Sequence, residues 1–261
     1  VASNFNCLEF VSAADSAKGG ITKYVYDLTQ GPAASISTAP ATLFRNYFVP
    51  HTANGVDYVG QLDEQINLLC EIPEIPIVNG YVQYDAHRQY PDFNNSFENL
   101  KKVKVGIHQQ VPVVFGTKTR RLEICPDQKQ TVNQVFTAAM NIGGGPSDIE
   151  LREKVAKFIL RGAYLGTFLS SAINSCLLPT PNSHKLFLTL VGGGVFGNRI
   201  EWIVEAITDP LCVRVMEEAG LEVYVTIFDK ANGIPQMLLE FTRDNNGRVI
   251  DANHVKSKNN A

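Results

Sequence analysis

Four glycines and an asparagine stand together in VGGGVFGN, residues 191–198, directly after the apolar run KLFLTL. Because Gly192, Gly193 and Gly194 carry no Cβ, the backbone N–H groups of this glycine loop can approach an anion closely. A helix is predicted to follow, and its N-terminus would attract negative charge to the same place. The stretch therefore predicts a diphosphate-binding loop, and the alternative is a tight turn that needs glycine only for packing.

Gly192, Gly194 and Gly197 also match G-x-G-x-x-G, the spacing that binds a dinucleotide in a Rossmann fold. That fingerprint normally opens its fold, whereas this loop lies in the last third of the chain. It also requires an acid about 20 residues later, at the end of the second strand. The nearest strand-ending acid is Asp229, which is too distant, so we interpret the match as incidental.

The composition is that of an ordinary globular protein that can bury a sizeable core, since 44% of the 261 residues are hydrophobic and 19% are charged. The net charge is −3 and the isoelectric point is near 6.0, so the overall charge favours neither nucleic acid nor an anionic membrane as a partner. The sequence has no apolar run of the roughly 18 residues that a membrane span needs.

The five cysteines are scattered and form no C-x-x-C pair. Neither a metal site nor a disulfide framework is therefore predicted, and a reducing cytoplasm is the expected compartment. H-E-x-x-H, G-x-S-x-G and Asp-rich metal loops do not occur, so no metal or cofactor is predicted. His108 is interpreted as a core or edge histidine of a strand. The chain begins at Val1 inside a predicted strand, and we expect it to be a fragment of a longer protein.

Apolar spacing and turn residues predict an α/β chain in which helices alternate with apolar strands. The clearest unit around the glycine loop is a strand over 185–191, a helical stretch over about 199–218 that ends at Gly220, and a strand over 221–229. A strand–helix–strand crossover of this kind is typical of a parallel sheet. We expect one domain over residues 1–241, followed by a polar tail over 242–261.

The longest helix is predicted over 148–176, where Ser147 and Glu150 form a capping box. Gly162 and Gly166 lie on its apolar stripe, and we expect them to be tolerated because the helix packs closely on a sheet. The remaining predictions are helices over 33–48, 61–70 and 131–142, and strands over 1–12, 103–114 and 120–126.

The motif Gly194-Val195-Phe196-Gly197 follows a strand and precedes a helix, and the next strand ends in Ile227-Phe228-Asp229. This arrangement resembles the second half of a macrodomain, in which the loop binds the diphosphate of ADP-ribose. SNFN near the start of the chain resembles the strand end that opens the first ligand loop of that family. Six segments extend the resemblance over nearly the whole chain, to the MavL-type group of macrodomain-like proteins: NFNCLEF, GITKYVYDLTQGPA, LFRNYF, GQLDEQINLL, VNQVFTAA and FLTLVGGGVFGN.

The resemblance implies a single three-layer α/β/α domain with a mixed, mostly parallel sheet. It also implies a hydrolase that removes mono-ADP-ribose from modified protein, with arginine as the expected attachment residue and ubiquitin as one substrate that the group suggests. One alternative is a non-catalytic reader that binds ADP-ribose or ADP-ribosylated protein. A third, more distant alternative is a nucleotide-diphosphate or Rossmann-type enzyme. Neither nucleic acid nor a membrane is an expected partner.

Two acids are the catalytic candidates that the resemblance implies: Asp27 in YDLTQGPA and Glu9 at the end of the first strand. Considered alone, Asp27 is equally a turn or N-cap residue, and Glu9 an exposed strand residue. The group often carries another acid eight residues before this aspartate, where Gly19 stands here with Asp15 nearby. This departure leaves the reader open as an alternative.

The resemblance also implies a set of ligand contacts on two sides of the ADP-ribose. The turn Gln30-Gly31-Pro32 leads into a predicted helix whose N-terminus would accept the proximal phosphate. Asn198 is alternatively a helix cap, and Phe196 and Phe228 are alternatively core residues. The predicted contacts are Asn6, Gln30, Gly31, Pro32, Gly192, Gly193, Gly194, Val195, Phe196, Gly197, Asn198 and Phe228.

Overall fold

The computed structural model describes residues 43–44, 47–78, 81–83, 85, 87–88, 90, 93, 97–116, 122–127, 129–142, 149–194, 196–227 and 233–251. Its strands are β1 (Pro50–Ala53), β2 (Val56–Val59), β3 (Ile77–Val78), β4 (Tyr81–Val82), β5 (Gly106–Pro112), β6 (Val114–Gly116), β7 (Leu122–Ile124), β8 (Thr131–Phe136), β9 (Lys185–Leu188) and β10 (Glu222–Val225). Its helices are α1 (Phe97–Leu100), α2 (Ile149–Leu177), α3 (Ile200–Ile207), α4 (Pro210–Ala219) and α5 (Gln236–Asp244).

The described strands form five two-stranded sheets, of which one is parallel. β9 and β10 run parallel, with Lys185 beside Glu222 and Leu188 beside Val225. The pairs β1–β2, β3–β4, β5–β8 and β6–β7 are antiparallel. Helices and short strands are thus mixed along the chain, which confirms the α/β class. These small sheets do not form one mostly parallel sheet.

The crossover around the glycine loop is confirmed, because β9 leads through α3 and α4 to its parallel partner β10. The helical stretch predicted over 199–218 is confirmed, and it is divided into two helices, because the first ends at Ile207 and the second begins at Pro210. Proline has no N–H and fits only the first turn of a helix. Asp209 caps the second helix by accepting a hydrogen bond of 2.8 Å from the Leu211 amide. Gly220 ends that helix with a φ of 60°, as predicted.

Helix α2 is the centre of the core, and its prediction over 148–176 is confirmed. Val155, Phe158 and Ile159 are buried on it, and the Phe158 ring lies 4.5 Å from that of Phe93. The two glycines of its apolar stripe mark a close approach. A Cβ at Gly162 would lie 2.7 Å from the Val103 side chain, and one at Gly166 would lie 2.9 Å from Cγ1 of Val105. Helix α2 therefore packs directly on the chain that enters β5.

The helix predicted over 61–70 is wrong, because turns and bends occupy this segment. Two polar side chains bond the backbone in place of helical carbonyls. Oε1 of Gln61 accepts a hydrogen bond of 3.0 Å from the Ile66 amide, and Oδ1 of Asn67 accepts one of 2.8 Å from the Leu69 amide. Side-chain bonds of this kind compete with helix formation.

The helix predicted over 131–142 is also wrong, because Thr131–Phe136 is strand β8 and pairs with β5. Its apolar residues fit helical spacing, but Thr131, Val132 and Val135 are β-branched and pack well in a sheet. His108 of β5 is buried, and its ring lies 4.3 Å from that of Phe136. The interpretation of His108 as a core histidine of a strand is confirmed.

The strand region predicted over 103–114 is confirmed as β5 and β6, and β6 extends two residues beyond it. The strand predicted over 120–126 is confirmed as β7. The helix predicted over 33–48 falls mainly outside the described residues, and residues 43, 44 and 47 are helical. Helix α5 was not predicted. It extends to Asp244, three residues into the segment expected to be a polar tail, and buries Leu238.

Candidate functional site

The glycine loop begins where a tyrosine hydroxyl from α2 meets the end of β9. The Tyr164 hydroxyl donates a hydrogen bond of 2.6 Å to the Thr189 carbonyl oxygen and accepts one of 3.0 Å from the Val191 amide. The Tyr164 side chain is buried, and burial raises the pKa of its hydroxyl above the ordinary value. Helix α2 thereby fixes the point at which the chain leaves the sheet.

Asn198 closes the other end of the loop. Its backbone amide donates to the Gly192 carbonyl oxygen at 3.0 Å, and its Nδ2 donates to the same oxygen at 3.3 Å. Nδ2 also donates to the Met140 carbonyl oxygen at 2.8 Å. Asn198 is only 4% exposed. It therefore ties the two ends of the loop together and holds them on the segment after β8, while the N-cap of α3 is Arg199.

The glycines of the loop are required for different reasons. Gly192 has a φ of 81° and Gly197 a φ of 68°, a region that favours glycine. Gly192 also has no room for a side chain, because a Cβ there would overlap the Cβ of Ala139 and lie 2.7 Å from Nδ2 of Asn198. A Cβ at Gly193 would lie 3.2 Å from Cδ1 of Ile203. Packing and backbone geometry thus explain much of the glycine content.

At Gly194 neither the backbone conformation nor the packing requires glycine. Its φ lies outside the left-handed region, and among the described residues no atom beyond its chain neighbours lies within 4 Å of a Cβ built on it. Its carbonyl oxygen accepts a hydrogen bond of 3.0 Å from the Gly197 amide, so the residue lies at the tip of a tight turn. Space therefore remains open beside the backbone at this position.

The floor of the loop is the segment that follows β8. The Ile142 amide donates a hydrogen bond of 2.8 Å to the Phe196 carbonyl oxygen. Arg152 of α2 in turn donates through Nη2 to the Ile142 carbonyl oxygen at 2.9 Å. Phe196, a predicted ligand contact, has its side chain in the hydrophobic core and is 8% exposed.

Helix α3 starts directly after the loop, and two cations lie near its buried indole, Arg199 at the N-cap of α3 and Lys157 on α2. Trp202 is 4% exposed. The Arg199 guanidinium lies 5.3 Å from the centroid of its ring, and Nζ of Lys157 lies 5.8 Å from it. Lys157 is paired with Glu153 at 3.1 Å and with Glu205 at 3.2 Å. The positive end of this helix and one exposed arginine therefore lie beside the glycine loop.

A cavity of about 70 Å³ opens below the start of the loop. Tyr164 and Thr189 line it together with Thr137 and Thr167. Its volume suits a few water molecules and is far too small for a nucleotide.

The described residues include six of the fourteen predicted site residues, all of them in the glycine loop: Gly192, Gly193, Gly194, Phe196, Gly197 and Asn198. The other predicted site residues lie outside the described residues: Asn6, Glu9, Asp27, Gln30, Gly31, Pro32, Val195 and Phe228. Sequence reasoning missed Tyr164 and Arg199. Tyr164 lies within a helix that was already explained by its apolar stripe, whereas Arg199 could have been noticed as a basic residue at a predicted helix start.

Within the described residues, no three His, Cys, Asp or Glu side chains come together as a metal site would require. The cysteines of this part of the chain, Cys70, Cys125, Cys176 and Cys212, are free thiols. None of the described helices combines the length and the apolar character that crossing a membrane requires.

Comparison of the chain with known proteins finds no match among protein-family models, curated proteins or solved structures. The arguments for a function therefore come from the glycine loop and the residues that hold it.

Proposed function

We propose that the glycine loop binds the diphosphate of ADP-ribose, and that the protein hydrolyses the bond between ADP-ribose and a modified protein. The observation that carries this proposal is the open space at Gly194. The other loop glycines have structural reasons that the fold explains, whereas at Gly194 neither φ nor a contact with the described residues requires glycine. A backbone without a Cβ can approach a phosphate more closely than any other residue allows.

The surroundings of the loop support an anionic ligand. The loop lies at the carboxyl end of β9 in a parallel pair, the end at which α/β proteins bind their ligands. Helix α3 starts at Ile200, three residues after Gly197, and among the described residues no side chain caps its first turn. The positive end of the helix dipole is therefore available to a phosphate.

The finer architecture belongs to the same proposal. We propose a three-layer α/β/α domain in which β9 and β10 belong to a larger sheet and α2 covers one of its faces. On the β9–β10 sheet the exposed Phe187 ring stacks 4.8 Å from the half-buried Tyr224 ring. This aromatic pair supports a layer on that face, since parallel sheets are normally covered on both sides. The proposed compartment is the cytoplasm, where free thiols persist.

The chemistry we propose is hydrolysis of an N-glycosidic bond to arginine. Water attacks the anomeric carbon of the distal ribose, its oxygen forms the new bond, and the bond from that carbon to the guanidine nitrogen breaks. One proton of the water passes to a carboxylate, and the leaving nitrogen gains a proton. Asp27 is the proposed base, with Glu9 as the second candidate, and help of this kind is typically worth about 10²–10⁴-fold in rate.

The second candidate function is a reader that binds ADP-ribosylated protein without cleaving it. Gly19 favours it, because it stands where the resembling group often has a second acid. One assay separates the two functions: mono-ADP-ribosylated protein, modified on arginine or in parallel on glutamate, is incubated with the wild type and with Asp27→Ala. Release by the wild type that is lost in Asp27→Ala supports the hydrolase. Capture of the modified protein without release supports the reader.

Binding itself is tested by calorimetry with ADP-ribose. Gly194→Glu adds a carboxylate beside the loop at a position where the described residues leave room for a Cβ, and it is expected to abolish binding. The matched control is Asn182→Glu, which adds the same charge at an exposed turn just before β9 begins, away from the glycine loop in the sequence. Heat with NAD but none with ADP-ribose would contradict the proposal.

A further inference from the structure

Arg199 stands at a helix start that breaks two ordinary rules. It is the N-cap residue of α3, an eight-residue helix, and no described side chain accepts the N–H groups of the first turn. Serine, threonine, aspartate and asparagine are preferred at an N-cap because their side-chain oxygen accepts such a bond. A cation at this position also meets the positive end of the helix dipole. Both features disfavour the ligand-free helix.

The charge of Arg199 is not neutralised by the described part of the chain. The side chain is exposed, and none of the ion pairs formed between described residues includes it. Lys157 is the natural contrast, because it lies over the same Trp202 ring and yet has two carboxylate partners, Glu153 and Glu205. Of the two cations beside this indole, one is paired within the fold and the other faces outward.

Trp202 holds the Arg199 guanidinium in place without using its hydrogen-bond donors. The ring is almost completely buried, and the guanidinium lies 5.3 Å from its centroid. An aromatic face attracts a guanidinium through its π-electrons, so the N–H groups of the fork stay available for an acceptor. The hydrogen bond of 3.0 Å from the Gly197 amide to the Gly194 carbonyl oxygen ties the open position to Gly197, two residues before Arg199.

We infer that Arg199 is the anion-pairing side chain of the glycine loop and takes a diphosphate ligand. This inference rests on the proposed function, because it identifies the anion with the diphosphate of ADP-ribose. The planar guanidinium matches two phosphate oxygens at once, which a backbone N–H cannot do. A bound diphosphate neutralises the arginine and the helix end together. The two unfavourable features of the free helix therefore become favourable ones in the complex, as is expected where a local rule is broken for function.

The test compares wild type, Arg199→Ser and Arg199→Lys by calorimetry with ADP-ribose and with inorganic pyrophosphate, and by thermal unfolding without ligand. Serine is a good N-cap, so Arg199→Ser is expected to melt roughly 2–4 °C higher than wild type. It is nevertheless expected to bind both probes at least about tenfold more weakly. Arg199→Lys keeps the charge but not the fork and is expected to lie between the two. Arg214→Ser removes an exposed arginine from α4 and is expected to leave both affinities unchanged.

The outcomes separate this inference from the proposed function. Wild-type binding of ADP-ribose with an Arg199→Ser affinity within twofold would overturn the role of Arg199 and leave the proposed function standing. Binding of pyrophosphate alone, with loss in Arg199→Ser, would support the anion site and overturn ADP-ribose as its ligand. No wild-type binding of either probe would overturn both. Weaker binding that accompanies a lower melting temperature in Arg199→Ser would show damage to the fold and would also count against the inference.

Discussion

Nδ2 of Asn198 lies 2.8 Å from the carbonyl oxygen of Met140, and this hydrogen bond joins the last residue of the glycine loop to a segment 58 residues earlier in the chain. The same Nδ2 donates to the Gly192 carbonyl oxygen, at the first glycine of the loop. One amide group therefore holds both ends of the loop on the floor that follows β8. These bonds anchor both ends of the loop in the ligand-free fold, so a ligand need not order the two ends on binding.

Removing this amide is expected to destabilise the protein. Asn198→Ala deletes two hydrogen bonds and leaves the buried Met140 carbonyl without this donor, which costs about 1–3 kcal/mol. The free energy of unfolding in urea measures the effect. Asn182→Ala, at an exposed turn, is the control and is expected to change stability by less than about 0.5 kcal/mol. Equal stability of the two variants would show that the amide does not hold the loop.

The Tyr164 hydroxyl anchors the start of the glycine loop. The stability lost when this hydroxyl is removed is expected to depend on pH. At about pH 8, Tyr164→Phe is expected to lower the free energy of unfolding by about 1–2 kcal/mol, because two hydrogen bonds are lost. Burial raises the pKa of Tyr164 above 10.0, so the folded protein holds this proton more tightly than the unfolded chain does.

The sign of the pH effect follows from that difference. The stability that Tyr164 contributes is fully present below its unfolded pKa and is lost as the pH rises from there towards the raised folded value. The advantage of wild type over Tyr164→Phe is therefore expected to shrink between about pH 8 and about pH 11. Urea unfolding of both proteins across this range measures it. An advantage that grows with pH would contradict the assignment.

The close approach at Gly162 is tested by adding one methyl group. Alanine normally stabilises a helix relative to glycine by about 1 kcal/mol. Gly162→Ala is nevertheless expected to lower stability by about 1–3 kcal/mol, because its Cβ would lie 2.7 Å from the Val103 side chain. Val103→Ala is expected to recover part of the loss in the double variant. A stabilising Gly162→Ala, or strictly additive effects, would contradict the packing.

Asp209 has two separable roles at the break between α3 and α4. Its Oδ1 caps Leu211, and its Oδ2 lies 2.5 Å from Nε of Arg161. Asp209→Asn keeps a good N-cap and loses the ion pair, whereas Asp209→Ala loses both. Asp209→Ala is expected to cost about 2–3 kcal/mol, and about 1 kcal/mol more than Asp209→Asn. Thermal and urea unfolding measure the stability lost in each variant. A larger loss in Asp209→Asn than in Asp209→Ala would show that the cap contributes little.

The glycine loop was predictable from sequence because its signal is local: an apolar strand, a glycine cluster and a helix follow one another within about 30 residues. The sequence could not distinguish the glycines from one another. Gly192 is required by Ala139, more than 50 residues away in the chain, and by its own φ, whereas Gly194 is free of both constraints. That distinction, on which the proposed function depends, is a product of tertiary packing.

The wrong predictions have a common cause. The segments 61–70 and 131–142 both show apolar residues at helical spacing. In the first, the side chains of Gln61 and Asn67 satisfy backbone amides locally, and in the second, pairing with β5 favours a strand. Periodicity describes which face is apolar, but the partner that covers this face decides the secondary structure.

The central claim is that a diphosphate lies against the backbone of the glycine loop, and NMR of glycine-labelled protein tests it most directly. On titration with ADP-ribose, the amide signals of Gly193, Gly194 and Gly197 are expected to shift to saturation along one binding curve. The signals of Gly55 and Gly220, which lie in turns outside the loop, are expected to stay in place. Saturable binding of ADP-ribose that moves Gly55 or Gly220 and leaves the loop glycines unchanged would contradict the claim.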